Sequence, residues 1–139
     1  MSDPHDLKRF VDAQLEAYPR AVSELRAGRK QSHWMWYIFP QIKGLGHSAM
    51  AERYAISSLE EAKAYLNHAV LGSRLRECTG LVNAVSNRSI EQIFGYPDHL
   101  KLHSSLTLFA RAAGDKQIFL DALQKYFGSK LDGQTVEHL

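Results

Sequence analysis

Aromatic and polar side chains are mixed in one stretch of the sequence, from Gly28 to Ser48. This stretch contains both tryptophans of the chain, together with cationic, imidazole and amide side chains: Lys30, His33, Trp34, Trp36, Gln41 and His47. Aromatic rings can stack on a base or a sugar, and a lysine ammonium can bind phosphate. Burying such polar groups in a core without partners would cost free energy. The combination predicts a pocket for a small anionic ligand, and packing in the core is the alternative for the aromatic rings.

A second group of polar residues lies at the start of a predicted helix that runs from Pro97 to Ala113. Asp98, Lys101 and Ser105 are separated by three and four positions, so they share one face of that helix. The predicted ligand-binding residues are therefore Lys30, Trp34, Trp36, Gln41, His47, Lys101 and Ser105. In the structural alternative, Asp98 complements the helix dipole and forms a surface ion pair with Lys101.

Three residues are candidates for catalysis, and the reaction that suits them is hydrolysis of an N-glycosidic bond. Asp98 or Glu77 would stabilise an oxocarbenium-like centre or activate water, as carboxylates do in glycoside hydrolysis. His33 would act as the general acid. Lys101 and Ser105 could also form a Ser–Lys nucleophile pair, but the sequence shows no oxyanion site for it. No complete catalytic signature is present, so the sequence leaves open whether the protein is an enzyme.

Neither a metal ion nor a cofactor is predicted. His99 and His103 are four residues apart, but they lack the glutamate and the third ligand of a zinc-protease helix. Residues 44–49 match a variant of the dinucleotide fingerprint, G-x-G-x-x-A. A Rossmann unit needs a second strand within about 30 residues, whereas residues 57–87 have helical periodicity. We therefore interpret the glycines of this match as a turn.

The elements that must position these residues are predicted to be helices. Apolar side chains recur at helical spacing through most of the chain, most regularly from Leu71 to Val85, which should lie in the centre of the core. The sequence thus predicts an all-α fold, a single multihelical domain over residues 1–139 with about seven to nine helices. The one cysteine, Cys78, should be buried and unreactive, as in a reduced cytoplasmic protein.

Helix boundaries are predicted from capping residues and from breakers. Asp3 is the candidate N-cap of a first helix that should end before Pro19, and a second helix should then run to Gly28. Residues 34–38 suit either a short helix or a strand, and Pro40 ends either one. Two capping boxes mark the starts of later helices: Ser58 with Glu61, and Ser89 with Gln92.

The charge of the chain is mild, with a formal net charge of +2. This value is compatible with a small anionic ligand, but it does not predict nucleic-acid binding without a clustered basic face. The N-terminus is polar and acidic, and the longest apolar run is far shorter than the roughly 20 residues of a membrane span. We therefore expect a cytoplasmic protein that does not insert into membranes, and the sequence leaves its oligomeric state open.

Several motifs together resemble a bacterial protein family. They include GRKQSHWMWYIFPQ at 28–41, GLGHS at 44–48, FGYPD at 94–98 and KLHSSLTLF at 101–109. These motifs resemble the domain-of-unknown-function family eighteen-ten, whose members are often labelled calpastatin in genomes. The resemblance implies a compact all-α fold and no established activity. Calpastatin itself is a disordered repeat protein, unlike the packed domain that the periodicity predicts here. Ala69 departs from the family pattern, which has proline at that position.

A more distant similarity is to the NADAR proteins (NAD and ADP-ribose associated), which are helical and act on N-glycosidic bonds of ribose derivatives. This similarity implies a ligand class, a nucleotide or ADP-ribose-like anion, and no catalytic residue. The alternative is a non-enzymatic protein-interaction domain whose aromatic motif is purely structural. That alternative requires Trp34 and Trp36 to be fully buried, and it requires that no concavity expose His33, Gln41 or Lys101.

Overall fold

Over residues 2–139, which the computed structural model describes, the chain forms nine helices and no sheet. In chain order they are α1 (Lys8–Arg26), α2 (Met35–Ile38), α3 (Ala49–Arg53), α4 (Leu59–Asn67), α5 (Leu71–Ala84), α6 (Ile90–Phe94), α7 (Asp98–Ala112), α8 (Gln117–Phe127) and α9 (Gly133–Glu137). One isolated parallel bridge joins Ile42 to Ile56. The predicted all-α class and number of helices are confirmed. None of these nine helices has the length and apolarity needed to cross a membrane.

α5 and α7 form the middle of the apolar core. α4, α6, α8 and α9 pack against α7, and its residues from Ser104 to Ala110 are all buried. α5 packs against α1, α4 and α8. The periodic face predicted for α5 is buried at Leu71, Leu75, Cys78 and Val82. Because both helices contribute to one continuous cluster of apolar side chains, the core is shared between them.

The predicted helix break at Pro19 is wrong, because α1 continues through this residue to Arg26. A proline inside a helix removes one backbone hydrogen bond, which costs about 3 kcal/mol. The carbonyl that loses its partner belongs to Leu15, a residue that is 70% exposed, so water can reach this side of the helix. Burial of the opposite face on both sides of the proline offsets the cost: Phe10, Gln14, Ala21 and Leu25.

The predicted N-cap Asp3 is not at the N-cap position of α1, which is Leu7, and the helix starts later than expected. The Asp3 carboxylate accepts hydrogen bonds from the amides of Leu7 at 2.9 Å and Lys8 at 3.0 Å. The helix therefore begins at Lys8. At its other end, Gly28 has a φ of 74°, a left-handed conformation that glycine adopts without steric cost. The aromatic stretch follows this turn in the chain.

Of the two predicted capping boxes, one is complete and one is modified. Ser89 and Gln92 form both hydrogen bonds of the box at the start of α6. At α4 the Ser58 hydroxyl accepts from the Glu61 amide at 3.1 Å. The Glu61 carboxylate turns instead to the Ser57 hydroxyl at 2.7 Å and to the Arg9 guanidinium at 2.9 Å. This carboxylate therefore ties α4 to α1.

Candidate functional site

The loop after α1 is held by a single carboxylate, that of Glu24. Its Oε1 atom accepts from the amides of Gln31 at 2.7 Å and Ser32 at 2.9 Å, and from Trp34 Nε1 at 2.9 Å. Its Oε2 atom accepts from the Ser32 hydroxyl at 2.5 Å. Burial alone would raise the pKa of Glu24, but these hydrogen bonds outweigh it and lower the pKa to about 2. The ionised carboxylate fixes the backbone that leads into α2.

This loop places Lys30 in a nearly closed environment, with 6% of its side chain exposed. Its amide donates to the carbonyl of Ile93 at 2.7 Å, which links the loop to α6. Its ammonium donates to the Ser32 carbonyl at 2.5 Å and pairs with Asp98 Oδ2 at 2.8 Å. The same ammonium lies 5.0 Å from the centre of the Trp34 ring. The Lys30 ammonium is thus surrounded by a carbonyl, a carboxylate and an aromatic ring.

The second cation of the site, Lys101, is more accessible. Asp98 is the first residue of α7, and Lys101 follows one helical turn later. The Lys101 ammonium lies 3.4 Å from Asp98 Oδ1 and 5.1 Å from the centre of the Trp36 ring. Its side chain is 29% exposed. Asp98 therefore lies between two ammonium groups, one covered and one open to solvent.

A cavity of about 290 Å³ opens beside this ion cluster. Apolar atoms of Met35 and Pro97 form part of its wall. The polar and aromatic part of the wall is formed by Lys30, His33, Trp36, Tyr96, Asp98 and Lys101. Tyr96 is 80% exposed, and Trp36 is partly exposed. The cavity combines two aromatic rings with two cations and one carboxylate, which suits an anion that carries a planar group.

The comparisons with known proteins identify the family. The model of the family described as "Protein of unknown function (DUF1810)" matches residues 4–139. The chain belongs to the DUF1810 family. The crystal structure of the conserved hypothetical protein Rv1873 from Mycobacterium tuberculosis is similar at 63% sequence identity with a TM-score of 0.97. The match covers 99% of this chain and 98% of Rv1873. No curated protein matches significantly.

In this DUF1810 protein the cavity brings together five of the predicted site residues: Lys30, His33, Trp36, Asp98 and Lys101. Trp34 lies beneath it and is 1% exposed, so it supports the site from the core. Gln41 lines a neighbouring groove, which shares Pro97 and Lys101 with the cavity. Trp34 and Trp36 therefore have different environments, although they are two positions apart.

Three predicted residues lie away from this cavity. His47 lines a separate depression with Lys43 and Glu52. Glu77 is exposed on α5, where it lines a cleft with Tyr18 and other residues of α1. Ser105 is completely buried, and its hydroxyl has no hydrogen-bond partner among residues 2–139. Ser105 shares the helical spacing of Asp98 and Lys101, but α7 runs from the surface into the core over those positions.

Two residues that shape the site were not predicted from the sequence. Glu24 has the spacing of a solvated helix face, and its role depends on amides that lie seven or more positions later. Tyr96 belongs to the FGYPD motif, which indicated the family resemblance and a helix start but no pocket residue. An aromatic residue directly before the polar start of α7 is the signal that could have indicated a pocket residue.

Proposed function

We propose that the cavity between α2 and the start of α7 binds a small anionic ligand of the nucleotide type. In this proposal Lys101 contacts a phosphate and Trp36 stacks on the base. The observation that carries the proposal is the accessible Lys101 ammonium, which lies 5.1 Å from the centre of the partly exposed Trp36 ring. Cationic and stacking groups are thus available on one side of the same cavity.

The division of charge between the two lysines supports this arrangement. Lys30 has close contacts with the Ser32 carbonyl and with Asp98, so its charge is compensated inside the protein. Lys101 has a longer contact to Asp98, at 3.4 Å, and no other acceptor within hydrogen-bond distance among residues 2–139. An ammonium has three N–H donors. Lys101 therefore retains donors for a ligand.

The size of the cavity supports a mononucleotide rather than a larger molecule in this part of the site. Ligand cavities in proteins range from about 300 to about 1,000 Å³, and this one has about 290 Å³. Tyr96 is 80% exposed at its wall. If a base stacks on Trp36, the Tyr96 ring can pack on the apolar surface of that base.

Hydrolysis of an N-glycosidic bond is a second candidate function, because His33 and Asp98 line the same cavity. The oxygen of a water molecule would bond to the anomeric carbon as the carbon–nitrogen bond breaks. His33 would protonate the leaving nitrogen and then take up the proton that the water loses. Asp98 would stabilise the cationic centre. Glu77 lies elsewhere, and Asp98 is already compensated by two ammonium groups. We therefore place binding first and hydrolysis second.

The rival interaction-domain hypothesis fits the geometry less well. It requires both tryptophans to be fully buried, which describes Trp34 but not Trp36. It also requires that no concavity expose His33 and Lys101, whereas both line the cavity. Nucleic-acid binding would need a clustered basic face, and the Lys30 side chain, which is 6% exposed, is not available for one.

Isothermal titration calorimetry with AMP, ADP and ADP-ribose tests the proposal. We expect the wild type to bind at least one of them, and Lys101→Ala to weaken that binding about 10- to 100-fold, since a charge-assisted hydrogen bond contributes about 1.5–3 kcal/mol. Lys63→Ala is the matched control, because Lys63 is an exposed lysine of α4 away from the cavity. Binding that is equal in Lys101→Ala and wild type, or no binding to the wild type at all, would refute the proposal.

Release of free base or nicotinamide from NAD, AMP or ADP-ribose, followed by chromatography, tests the second candidate. We expect turnover by the wild type and loss of turnover in His33→Ala with ligand binding retained. Binding without any product over hours would leave the protein a binding domain and remove hydrolysis from consideration.

A further inference from the structure

A larger groove lies on the other side of Lys101, between α7 and α9. It has a volume of about 590 Å³, and it shares Pro97 and Lys101 with the cavity described above. Gln41 lies in its wall next to Leu45, and α9 contributes Gln134 and Glu137. A ligand bound to Lys101 therefore has a second space open to it, beyond the ammonium.

The lining of this groove differs in chemistry from that of the first cavity. It contains two carboxylates, two carboxamides and one hydroxyl: Asp132, Glu137, Gln41, Gln134 and Ser104. Leu45 and Leu100 add apolar patches, and Leu100 is 48% exposed. Carboxylates repel a second phosphate, but they accept hydrogen bonds from hydroxyl groups. This combination suits a neutral, polyhydroxylated group whose carbon face packs on the leucines.

The wall formed by the C-terminal segment is held in place by polar contacts. Asp132 Oδ2 accepts from the Ser104 hydroxyl at 3.0 Å and from the Thr135 hydroxyl at 2.6 Å. The His103 ring stacks on Phe127 with 4.2 Å between centroids, and its Nε2 atom lies 2.7 Å from the Lys130 carbonyl. A wall that is already ordered reduces the entropy cost of binding.

We propose that this groove binds the sugar of an extended ligand whose phosphate contacts Lys101, so that the ligand class is a nucleoside diphosphate sugar. The inference rests on the proposed function of the neighbouring cavity. The nucleoside occupies the aromatic cavity, the phosphates pass Lys101, and the terminal sugar donates hydrogen bonds to Glu137 and Asp132. Gln134 and Gln41 complete the hydrogen bonding of the sugar.

The experiment compares ADP with ADP-ribose in calorimetric titrations, because both probes carry two phosphates and differ by the terminal ribose. The variants are Gln134→Ala and Glu137→Gln, whose side chains are exposed on α9. Glu60→Gln on α4 is the control. We expect each α9 variant to weaken ADP-ribose binding about 2- to 10-fold, the range for one hydrogen bond, and to leave ADP binding unchanged. Thermal unfolding of each variant verifies that the fold is retained.

The outcomes separate the two proposals. If ADP and ADP-ribose bind to the wild type and neither α9 variant changes the ratio of their affinities, the groove assignment is overturned and the proposed function stands. If both α9 variants weaken ADP and ADP-ribose equally, the groove does not distinguish the sugar and the assignment also falls. If neither ligand binds to the wild type, the proposed function fails, and the inference built on it fails as well.

Discussion

The substitution Glu24→Gln tests how the loop that carries Lys30 and Trp34 is held in place. Glutamine has nearly the same shape as glutamate, but it has no charge and only one acceptor oxygen. Glu24 accepts hydrogen bonds from two backbone amides, one hydroxyl and the indole of Trp34. Hydrogen bonds to a charged acceptor are stronger than those to a neutral one. The variant should therefore keep the fold and lose stability.

The expected magnitude follows from the pKa of Glu24, which is lowered from an ordinary value of 4.5 to about 2. A difference of this size corresponds to about 3 kcal/mol at neutral pH. The side chain is only partly buried, and solvent screening at such a position reduces the figure to about 1–2 kcal/mol. We expect the free energy of unfolding of Glu24→Gln to be lower than that of wild type by this amount at pH 7.

The loss should depend on pH in a defined direction. Because the folded-state pKa lies below the unfolded-state value, the native protein binds fewer protons, and its stability rises with pH through this range. The contribution of Glu24 is complete above pH 4.5 and is lost as pH falls towards 2. The wild-type and variant stabilities should therefore converge as the solution is acidified.

Urea unfolding followed by tryptophan fluorescence, at several pH values between about 3 and 7, measures both quantities. Glu16→Gln is the matched control, since Glu16 is an exposed carboxylate of the same helix. It should change the free energy of unfolding by less than about 0.5 kcal/mol. A difference between Glu24→Gln and wild type that stays constant from neutral to acidic pH would refute the role assigned to the Glu24 charge.

Three further predictions concern single buried or partly buried side chains. Trp34→Ala should lower the free energy of unfolding by about 3–5 kcal/mol. Trp36→Ala should lower it by about 1 kcal/mol or less and should weaken nucleotide binding. Urea titrations and calorimetry measure these effects, and equal behaviour of the two variants would contradict the prediction. Ser105→Ala should be neutral or stabilising by up to about 1 kcal/mol because the buried hydroxyl has no hydrogen-bond partner among residues 2–139. A large loss of stability in urea unfolding would show that the hydroxyl has an essential role. Burial raises the pKa of Cys78 to about 12. A chromogenic thiol reagent at neutral pH should therefore react slowly with the folded protein and rapidly with the protein unfolded in urea. Equal rates would show that the thiol is accessible in the folded protein.

The sequence predicted the helices better than their ends, for a physical reason. Periodicity reports which residues must be buried, and the face from Leu71 to Val82 is buried as that rule requires. The helix break predicted at Pro19 was wrong because the sequence shows the local free-energy cost of a proline. It does not show the packing against α5 that offsets this cost. The capping residues Ser58 and Ser89 were predicted because their contacts lie within three positions. Asp3 contacts the amides of Leu7 and Lys8, but Leu7 is at the N-cap position of α1.

The candidate site was predicted in part. The proximity of Lys30 and Asp98, whose charged atoms are 2.8 Å apart, was inferred from two motifs that both combine aromatic and ionisable residues. Helical spacing wrongly suggested that Ser105 would be as accessible as Lys101, since spacing identifies a face but not where other helices cover it. His47 lines a separate depression, in the segment that follows the bridge between Ile42 and Ile56.

In the proposed anion site, the two lysines of the ion cluster would have different roles. Asp98 alone would give the cavity a negative charge and repel a phosphate. Lys30 contacts Asp98 from the covered side and compensates that charge without taking a place on the accessible surface. Lys101 then contributes its positive charge to the cavity wall. Under the proposed function, the affinity for an anion should therefore depend on Lys30, which need not touch the ligand, and through Lys30 on the loop that Glu24 holds.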